Sequence, residues 1–457
     1  MAPAAVVDDG KVTIDNTDDT MVVGDARLKR HAGWSEVVYH SITGMLGAGV
    51  LGLPSVFSHL GWAGGIIMLV FSLWVSWYTY LLLARMHEVP DLDNKAGNGV
   101  RRLDRYDQLS CYVLGPRKGK LALLPFQLIV LIGVAITYTV VGGDSLRAFA
   151  HFITPNLAMG KWSFYIIFGA VQLMLSMLPT FNELSMVSLL GAVMSVAYCV
   201  IAIVMSARVH PAKGTVNYAP EAVERTPIER TMGIFNALTT VLFAYGGHNM
   251  ALEIQATLPI NEQHKSSVPR MERAVHITFV VTALAYLLVS IFGFYAFGTS
   301  VADNVLLTFS HGPTSWVVAM TDMFVVVHVL AAYQVYINPV FIMCEASLAR
   351  RTRGGSVNVI VQTLLRMSLV VGVTVVAVLI PFFGSLMGLF GAIGITPTTF
   401  TLPPLLWLML KQPAKWSFDW CQNWFLVIIT GLMGVLGTIG ALYGIINAAS
   451  TYHLFAN

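Results

Sequence analysis

Two glycine-rich clusters hold the chemistry that this sequence can offer. The first is Gly44-Met45-Leu46-Gly47-Ala48-Gly49-Val50-Leu51-Gly52-Leu53-Pro54 and the second is Phe243-Ala244-Tyr245-Gly246-Gly247-His248-Asn249, each set inside a long apolar run. Glycine permits non-helical dihedrals and leaves the backbone unshielded, so a helix can unwind at either place. The N-terminus of the half-helix that follows offers unpaired N–H groups and partial positive charge to a carboxylate, and freed carbonyls suit a cation or an ammonium group. The zwitterion of an amino acid matches both ends. Thr43, Gly44, Gly47, Ala48 and Gly49 at the first cluster, and Tyr245, Gly246, Gly247, His248 and Asn249 at the second, are therefore the candidate substrate-binding residues. The Asn249 amide can both donate and accept. His248 either bonds substrate or is satisfied by neighbouring carbonyls, and Tyr245 either closes over substrate or simply packs.

Ionisable residues inside apolar runs cost several kcal/mol to place in a bilayer and are functional candidates for that reason. Glu253, a little over one turn beyond Asn249, is read as a proton-exchanging group or as one half of an inner-gate ion pair. Asp322 and His328, six residues apart, are candidates for a proton path, with helix-packing hydrogen bonds the alternative for His328. Gly133, Gly142 and the row Gly431, Gly434, Gly437 and Gly440 read as close helix packing.

The elements that must position these residues are membrane helices. The chain is 56% hydrophobic and 11% charged, with a mean hydropathy of +0.69, which is more apolar surface than one soluble core can bury. A crossing takes roughly 20 apolar residues. Such runs fall near 35–55, 61–84, 121–141, 163–179, 184–206, 231–254, 274–297, 315–337, 361–380, 384–410 and 423–447. Pro90, Pro179, Pro211 and Pro381 mark ends. The expected fold is all-α and polytopic, with about 11 transmembrane helices. The two clusters lie on helices one and six, equivalent members of two five-helix halves, which is the pattern of an inverted-repeat transporter. The halves are expected at 34–208 and 231–410, with an eleventh helix at 423–447. The transmembrane unit is 34–447, between a polar, aspartate-rich tail (1–33) expected to be disordered and a short extracytoplasmic tail (448–457).

Lysine and arginine set the orientation. One side collects Lys11–Arg30, Arg85–Lys120, Lys265–Arg273, Arg350–Arg366 and Lys411–Lys415; the other has only Arg147, Lys161, Arg208, Lys213, Arg225 and Arg230. This roughly three-to-one bias puts the N-terminus in the cytoplasm and the C-terminus outside. The formal net charge of +3 gives no support for a nucleic-acid partner. No H-E-x-x-H, nucleophile elbow or paired-aspartate motif suggests an enzyme. A channel has no use for paired helix breaks, and a nutrient sensor built on the same fold would typically carry a longer soluble tail.

At these same residues the sequence resembles the amino acid/auxin permease family, most closely its lysine/histidine-transporter-like plant branch. The likeness runs through Gly47–Pro54 with Leu60-Gly61-Trp62, Asp104-Arg105-Tyr106, Gln127–Val130, Phe243–Asn249 with Leu252–Thr257, Val325–Val329 with Tyr333–Tyr336, Pro381–Gly384 and Pro397-Thr398-Thr399. It implies a LeuT-like fold and secondary symport of amino acids with protons, neutral for the most part and of broad range, with no cofactor and the proton gradient as energy source. The implied setting is the plasma membrane, with substrate, protons and lipid as partners and a monomeric transport unit. A sister branch carries an auxin-like carboxylate, which is the alternative. Gly246 stands where alanine is usual in the branch, and Glu183 where small polar residues are common. Sodium-coupled relatives carry asparagine at the Thr43 position, so the threonine favours protons.

Overall fold

The computed structural model describes residues 4–8, 11–15, 32–90, 100–177, 184–211, 215–260, 265–310, 316–349 and 357–452. Of the polar N-terminal stretch before Ala32 only a hairpin backbone is described, β1 (Ala4–Asp8) against β2 (Lys11–Asp15). The rest of that tail, Pro179, Glu183, Arg350, Arg351, Arg353 and residues 453–457 lie outside the described residues.

The first expected helix is divided. α1 (Trp34–Met45) stops at Leu46 and α2 (Gly49–Met86) starts three residues on. Pro54 does not close this break; it lies within α2, its ring on the Cα of Gly293, where an added Cβ would stand 2.8 Å away. α2 then bends at Gly61, whose φ of 67° belongs to no right-handed helix, at the expected boundary between the first two spans. A second hairpin, β3 (Glu88–Pro90) with β4 (Val100–Arg102), leads to α3 (Tyr106–Leu114). Then come α4 (Pro116–Ile153), α5 (Lys161–Met177), α6 (Leu184–Arg208) and α7 (Pro227–Ala244). α7 opens on Thr226 and Glu229 bonded reciprocally in a capping box, with Pro227 at the first helical position.

The sixth expected helix is divided too. After α7 the chain leaves the helix at Tyr245–Gly247, makes one 3₁₀ turn (His248–Met250) and resumes in α8 (Ala251–Ala256). α9 (Val268–Phe297), α10 (Val305–Ser310), α11 (Trp316–Ala349) and α12 (Val359–Leu379) follow. The tenth expected helix is α13 (Phe383–Phe390), a π-helical segment (Gly391–Thr401) and α14 (Leu402–Lys411); α15 (Phe418–Thr451) ends the bundle.

Among the described residues, eight helical stretches are long and apolar enough to cross a bilayer. The other three expected crossings fall on shorter or divided helix: α1 with the first turns of α2, α5, and α7 with α8. Several helices outrun their hydropathy windows. The third, expected at 121–141, spans Pro116–Ile153 because Arg117, Lys118, Lys120, Asp144 and Arg147 lower window hydropathy without opposing helix. α6 and α12 stop just short of Pro211 and Pro381, as expected of a ring without an N–H.

α2 packs between α7 and α9, α11 between α4 and α6, and α15 along α7 and the π-helical segment. Glycines bring helices close at most of the expected places, with Gly434 against the Ala392 carbonyl, Gly437 against Thr239, Gly440 against the Met232 carbonyl, Gly133 against Phe390 and Gly142 against Phe168, but an added Cβ at Gly431 would meet open space. α12 and α15 turn rows of large apolar side chains outward, Val371 and Val375 on one, Ile428, Val435 and Ile446 on the other. That surface suits a lipid solvent.

Candidate functional site

The two breaks meet in the middle of the bundle. Gly49 lies on the Ala244 backbone so closely that an added Cβ would stand 3.0 Å from its Cα, and Gly247 lies on Met45. Between them is a cavity of about 20 Å³ lined by Gly44, Met45, Gly47, Gly49, Val134, Tyr138, Phe243, Ala244, Gly246, Tyr336 and Ile395. That space holds about one water molecule, so the centre is closed in this conformation.

The groups freed by the breaks divide by polarity. Six carbonyls at the breaks, those of Gly44, Met45, Leu46, Gly47, Ala244 and Tyr245, accept from hydroxyls. Tyr286 of α9 donates to Met45 O (2.5 Å) and Ala244 O (2.7 Å), at the ends of both half-helices. Tyr198 of α6 donates to Leu46 O (3.1 Å) and Gly47 O (3.0 Å), Tyr336 of α11 to Gly44 O (2.7 Å), and Ser76 of α2 to Tyr245 O (2.9 Å). The N-termini are different. Ala48 precedes α2, and Gly247 precedes the 3₁₀ turn; neither supplies a side-chain cap. A helix start without a cap leaves N–H donors and positive potential free for an anion. At α2 the N–H groups of Val50 and Leu51 already donate to Gly47 O (3.4 Å) and Ala48 O (3.1 Å), so the complement for a carboxylate is uncapped by any side chain but partly used by its own turn, while carbonyls of the complement for a cation accept hydroxyl protons.

The family model described as "Transmembrane amino acid transporter protein" matches residues 30–447. The chain belongs to this family, the amino acid/auxin permeases. Within it the chain is similar to two proteins of Arabidopsis thaliana: Lysine histidine transporter-like 1, 36% identical over 93% of this chain and 91% of that one, and Lysine histidine transporter-like 6, 37% identical over 93% and 94%. GABA transporter 1 of the same plant is 30% identical over 94% of each. Among solved structures, the Eremococcus coleocola manganese transporter in complex with an aromatic bis-isothiourea substituted compound superposes with a TM-score of 0.55 at 14% identity, covering 92% of each chain. The fold is the LeuT-like one, and the chain is a membrane transporter and not an enzyme.

In this permease the candidate residues separate into two groups. Gly44, Gly47, Gly49 and Gly246 line the central cavity. An added Cβ at Gly47 would collide with the Tyr138 hydroxyl, and one at Gly246 would stand 2.5 Å from Ile395 Cδ1. The glycine at 246 is thus matched to Ile395. Ala48, fully buried, precedes α2 and Gly247 lies on Met45, while the side chains of Thr43, Tyr245, His248 and Asn249 turn away. Thr43 Oγ1 contacts Ser188 O (2.5 Å) and Tyr39 O (3.0 Å). The Tyr245 ring packs edge-on to Tyr286, centroids 4.8 Å apart. Buried His248 points to α2, where its Nε2 lies 3.1 Å from Ser76 O and 3.0 Å from Thr79 Oγ1, the carbonyl-satisfied alternative for that nitrogen. Asn249 Nδ2 donates to Thr398 Oγ1 on the π-helical segment (3.2 Å), and its Oδ1 is buried without a partner.

The proton-path candidates are scattered around this centre. His328 holds Nδ1 2.9 Å from Gly191 O, with Nε2 buried and unpartnered. Asp322 is buried beside the Ser145 hydroxyl and near the Asp144 charge. Glu253 Oε2 is buried and unbonded, and the Arg105 charge acts on this carboxyl while Arg105 Nε itself donates to Asp107 Oδ1 (2.9 Å). The hydroxyls of Tyr198, Tyr286, Tyr336 and Ser76 escaped the sequence reading. Their one available signal was a tyrosine in an apolar run, which needs a partner for its hydroxyl.

The near end of the bundle, where Trp34, Met86 and Val268 lie, is shut by a polar latch. Arg102 on β4 donates to the carbonyls of Gln255 (3.2 Å), Ala256 (3.4 Å) and Leu258 (3.2 Å), which end α8. Glu88 on β3 accepts from Ser266 Oγ (2.6 Å) and from Ser267 N and Oγ (2.7 and 2.6 Å), which begin α9. Burial alone would raise the Glu88 carboxyl, but these donors hold it below the usual carboxylate value. His87, fully buried with Nε2 3.2 Å from Asp104 Oδ1, is pushed down by burial, with Arg102, Asp104 and Glu88 the charges around it. A base depressed in the folded state favours folding fully above its unfolded pKa of 6.5, and that contribution is lost as pH falls below it, because the unfolded chain takes up the proton first. The Glu88 contribution is lost only under more acid conditions, as pH falls through its own depressed value. Thermal stability in detergent should therefore decline from pH 6.5 to pH 5 in the wild-type protein, and the slope should flatten in His87→Gln. An unchanged slope in the variant would show that His87 is not the group titrating.

Proposed function

We propose that this permease is a proton-coupled symporter that imports amino acids, broad in range and neutral for the most part, by alternating access. The carrying observation is the closed centre itself, with the uncapped N-terminus of α2 at a small cavity, beside carbonyls of both breaks that accept from hydroxyls. A carboxylate fits the first feature. The second favours protons over sodium, since a hard cation needs several oxygen ligands and would have to displace the hydroxyls of Tyr198, Tyr286 or Tyr336. The Asp322 carboxyl, buried beside Ser145 and Asp144, offers a place to hold the proton. The near end carries Arg85, Arg101, Arg102, Arg117, Lys118, Lys120 and Arg270 and is read as cytoplasmic, with the C-terminus outside. One chain is the transport unit, in the plasma membrane.

The test is uptake of labelled amino acids by a transport-deficient host at pH 5 and pH 7, with and without a protonophore. Uptake should be faster at pH 5 and collapse with the protonophore. Uptake indifferent to the proton gradient would sink the coupling. Failure to move any amino acid would turn the reading toward an auxin-like carboxylate substrate or a sensor.

A further inference from the structure

The far end of the bundle, opposite the latch made by Arg102 and Glu88, has a tie of its own, and this one contains a titratable ring. The loop between α6 and α7 crosses that end. Its first part is fixed to the end of α9, where Asn217 O accepts from Thr299 N (2.9 Å) and the Tyr218 hydroxyl donates to Tyr295 O (2.8 Å). Pro220 then lies over Gly61 at the bend of α2, and the capping box of Thr226 and Glu229 joins the loop to α7. Between these anchors Arg225 makes a polar link to α2. Its Nη1 donates to Ser58 O (3.3 Å) and lies 3.1 Å from His59 Nδ1. The His59 ring also lies against α7, where an added Cβ on Gly233 would collide with Nδ1.

The chemistry of this pair allows one protonation state. A guanidinium has N–H donors and no acceptor, so His59 Nδ1 is the acceptor and the neutral ring carries its proton on Nε2. A second proton would go to Nδ1, removing the acceptor and setting an imidazolium against a guanidinium at hydrogen-bond distance. The link between α2 and the loop does not survive that proton. The ring borders a cavity of about 350 Å³, whose lining also holds Glu224 and Arg225 of the loop, Glu229 of α7, Asp303 of the segment before α10 and Tyr443 of α15. Arg230 of α7 adds a cation near Arg225. Glu229 is committed to Thr226 N (2.7 Å) and Oγ1 (2.9 Å), which leaves Glu224 and Asp303 as the counter-charges to which an imidazolium can turn once Arg225 withdraws.

We infer that His59 and Arg225 form an acid-released latch on the far end: neutral His59 ties the loop to α2 and keeps the mouth narrow, and its protonation frees the outer half of α2 so that the mouth opens. This regulation goes beyond the proposed transport and does not depend on it, because the latch answers to the pH of the medium whether or not a proton travels with the substrate. With the far end outside, as proposed, the mouth opens on the side from which protons arrive.

The experiment measures how fast a thiol inside the far cavity is modified in the purified full-length protein in detergent, with no substrate and no gradient. Thr240 of α7 lines that cavity and is buried. Thr240→Cys is treated with a charged methanethiosulfonate at pH 7.5 and pH 5 and followed at that position by mass spectrometry, apart from native Cys111, Cys199, Cys344 and Cys421. The same is done with His59→Gln added, since glutamine can accept from Arg225 at either pH. Dividing the first rate by the second cancels the titration of the thiol itself. The ratio should rise roughly fivefold or more from pH 7.5 to pH 5, the interval in which a histidine ordinarily takes up its proton. Arg225→Met, which lacks the donor, should react fast at both pH values and give a flat ratio. A flat ratio with His59 and Arg225 both present would overturn the latch, and so would a rise that persists in Arg225→Met. If His59→Gln aggregated on gel filtration, Arg225→Met would become the reference, and a pH-independent ratio against it would overturn the latch. Uptake indifferent to the proton gradient would sink the coupling and leave this result standing.

Discussion

Tyr286→Phe should leave a permease that inserts into the membrane but transports at least tenfold more slowly, and that melts at a lower temperature in detergent. The Tyr286 hydroxyl stands between Met45 O at 2.5 Å and Ala244 O at 2.7 Å, the last carbonyls of the two half-helices that face each other across the centre. One proton serves two acceptors. Without it Ala244 O loses the hydroxyl while Met45 O keeps only the Gly47 N–H (2.9 Å), and a buried unsatisfied acceptor costs about 1–3 kcal/mol. The phenylalanine ring keeps the edge contact with Tyr245, so the loss isolates the hydroxyl. Tyr333→Phe is the matched control, because the Tyr333 hydroxyl is buried with no partner and its removal uncovers no acceptor; stability and uptake should stay near wild type. Equal behaviour of the two variants, in a melting curve and an uptake assay, would show that the hydroxyl bridge does not hold the breaks together.

That bridge also marks how far the centre was legible in the sequence. The break points were legible because glycine acts locally: Gly47, Gly49, Gly246 and Gly247 announce non-helical backbone wherever they fall. Which side chain seals a freed carbonyl is a long-range fact. Tyr286 meets Met45 across 241 residues and Tyr336 meets Gly44 across 292, so no spacing rule connects them. The outward-turned candidates have a similar explanation. His248 and Asn249 are read from the sequence as candidate substrate ligands beside a helix break, but the residue before them, Gly247, has φ −152° and ψ 0° and starts a 3₁₀ turn, which aims one side chain at α2 and the other at Thr398. The tenth helix reads as uniform in hydropathy, yet contains an eleven-residue π-helical segment with Pro397 inside it. There Thr396 Oγ1 donates to Gly391 O (2.7 Å) and Thr398 Oγ1 to Gly394 O (2.9 Å), taking up carbonyls that regular helix would have bonded. Pro54 misled in the opposite direction. Its missing N–H suggested a stop, whereas its ring packs against Gly293 inside α2.

Arg102→Gln should shift the conformational balance of the transporter more than it weakens the fold. The guanidinium reaches three carbonyls at the end of α8, the short half of the divided helix, and glutamine can reach at most one or two of them. Hydrogen bonds to a charged donor contribute about 1.5–3 kcal/mol, and about 1.4 kcal/mol changes an equilibrium tenfold. If α8 must leave this latch for the near end to open, the variant favours the open form by one to two orders of magnitude. A population shifted away from the far-open state lowers apparent affinity for substrate offered from outside by the fraction lost. The expected result is a KM for uptake raised at least tenfold, with efflux from preloaded vesicles faster than in wild type. Glu88→Gln should act in the same direction but less strongly, since glutamine can still accept from Ser266 and Ser267. A lowered maximal rate with unchanged KM and unchanged efflux in Arg102→Gln would mean that the contacts to Gln255, Ala256 and Leu258 hold the fold and do not gate it. The sign of the efflux change separates the two roles, because a purely structural loss slows both directions of transport together.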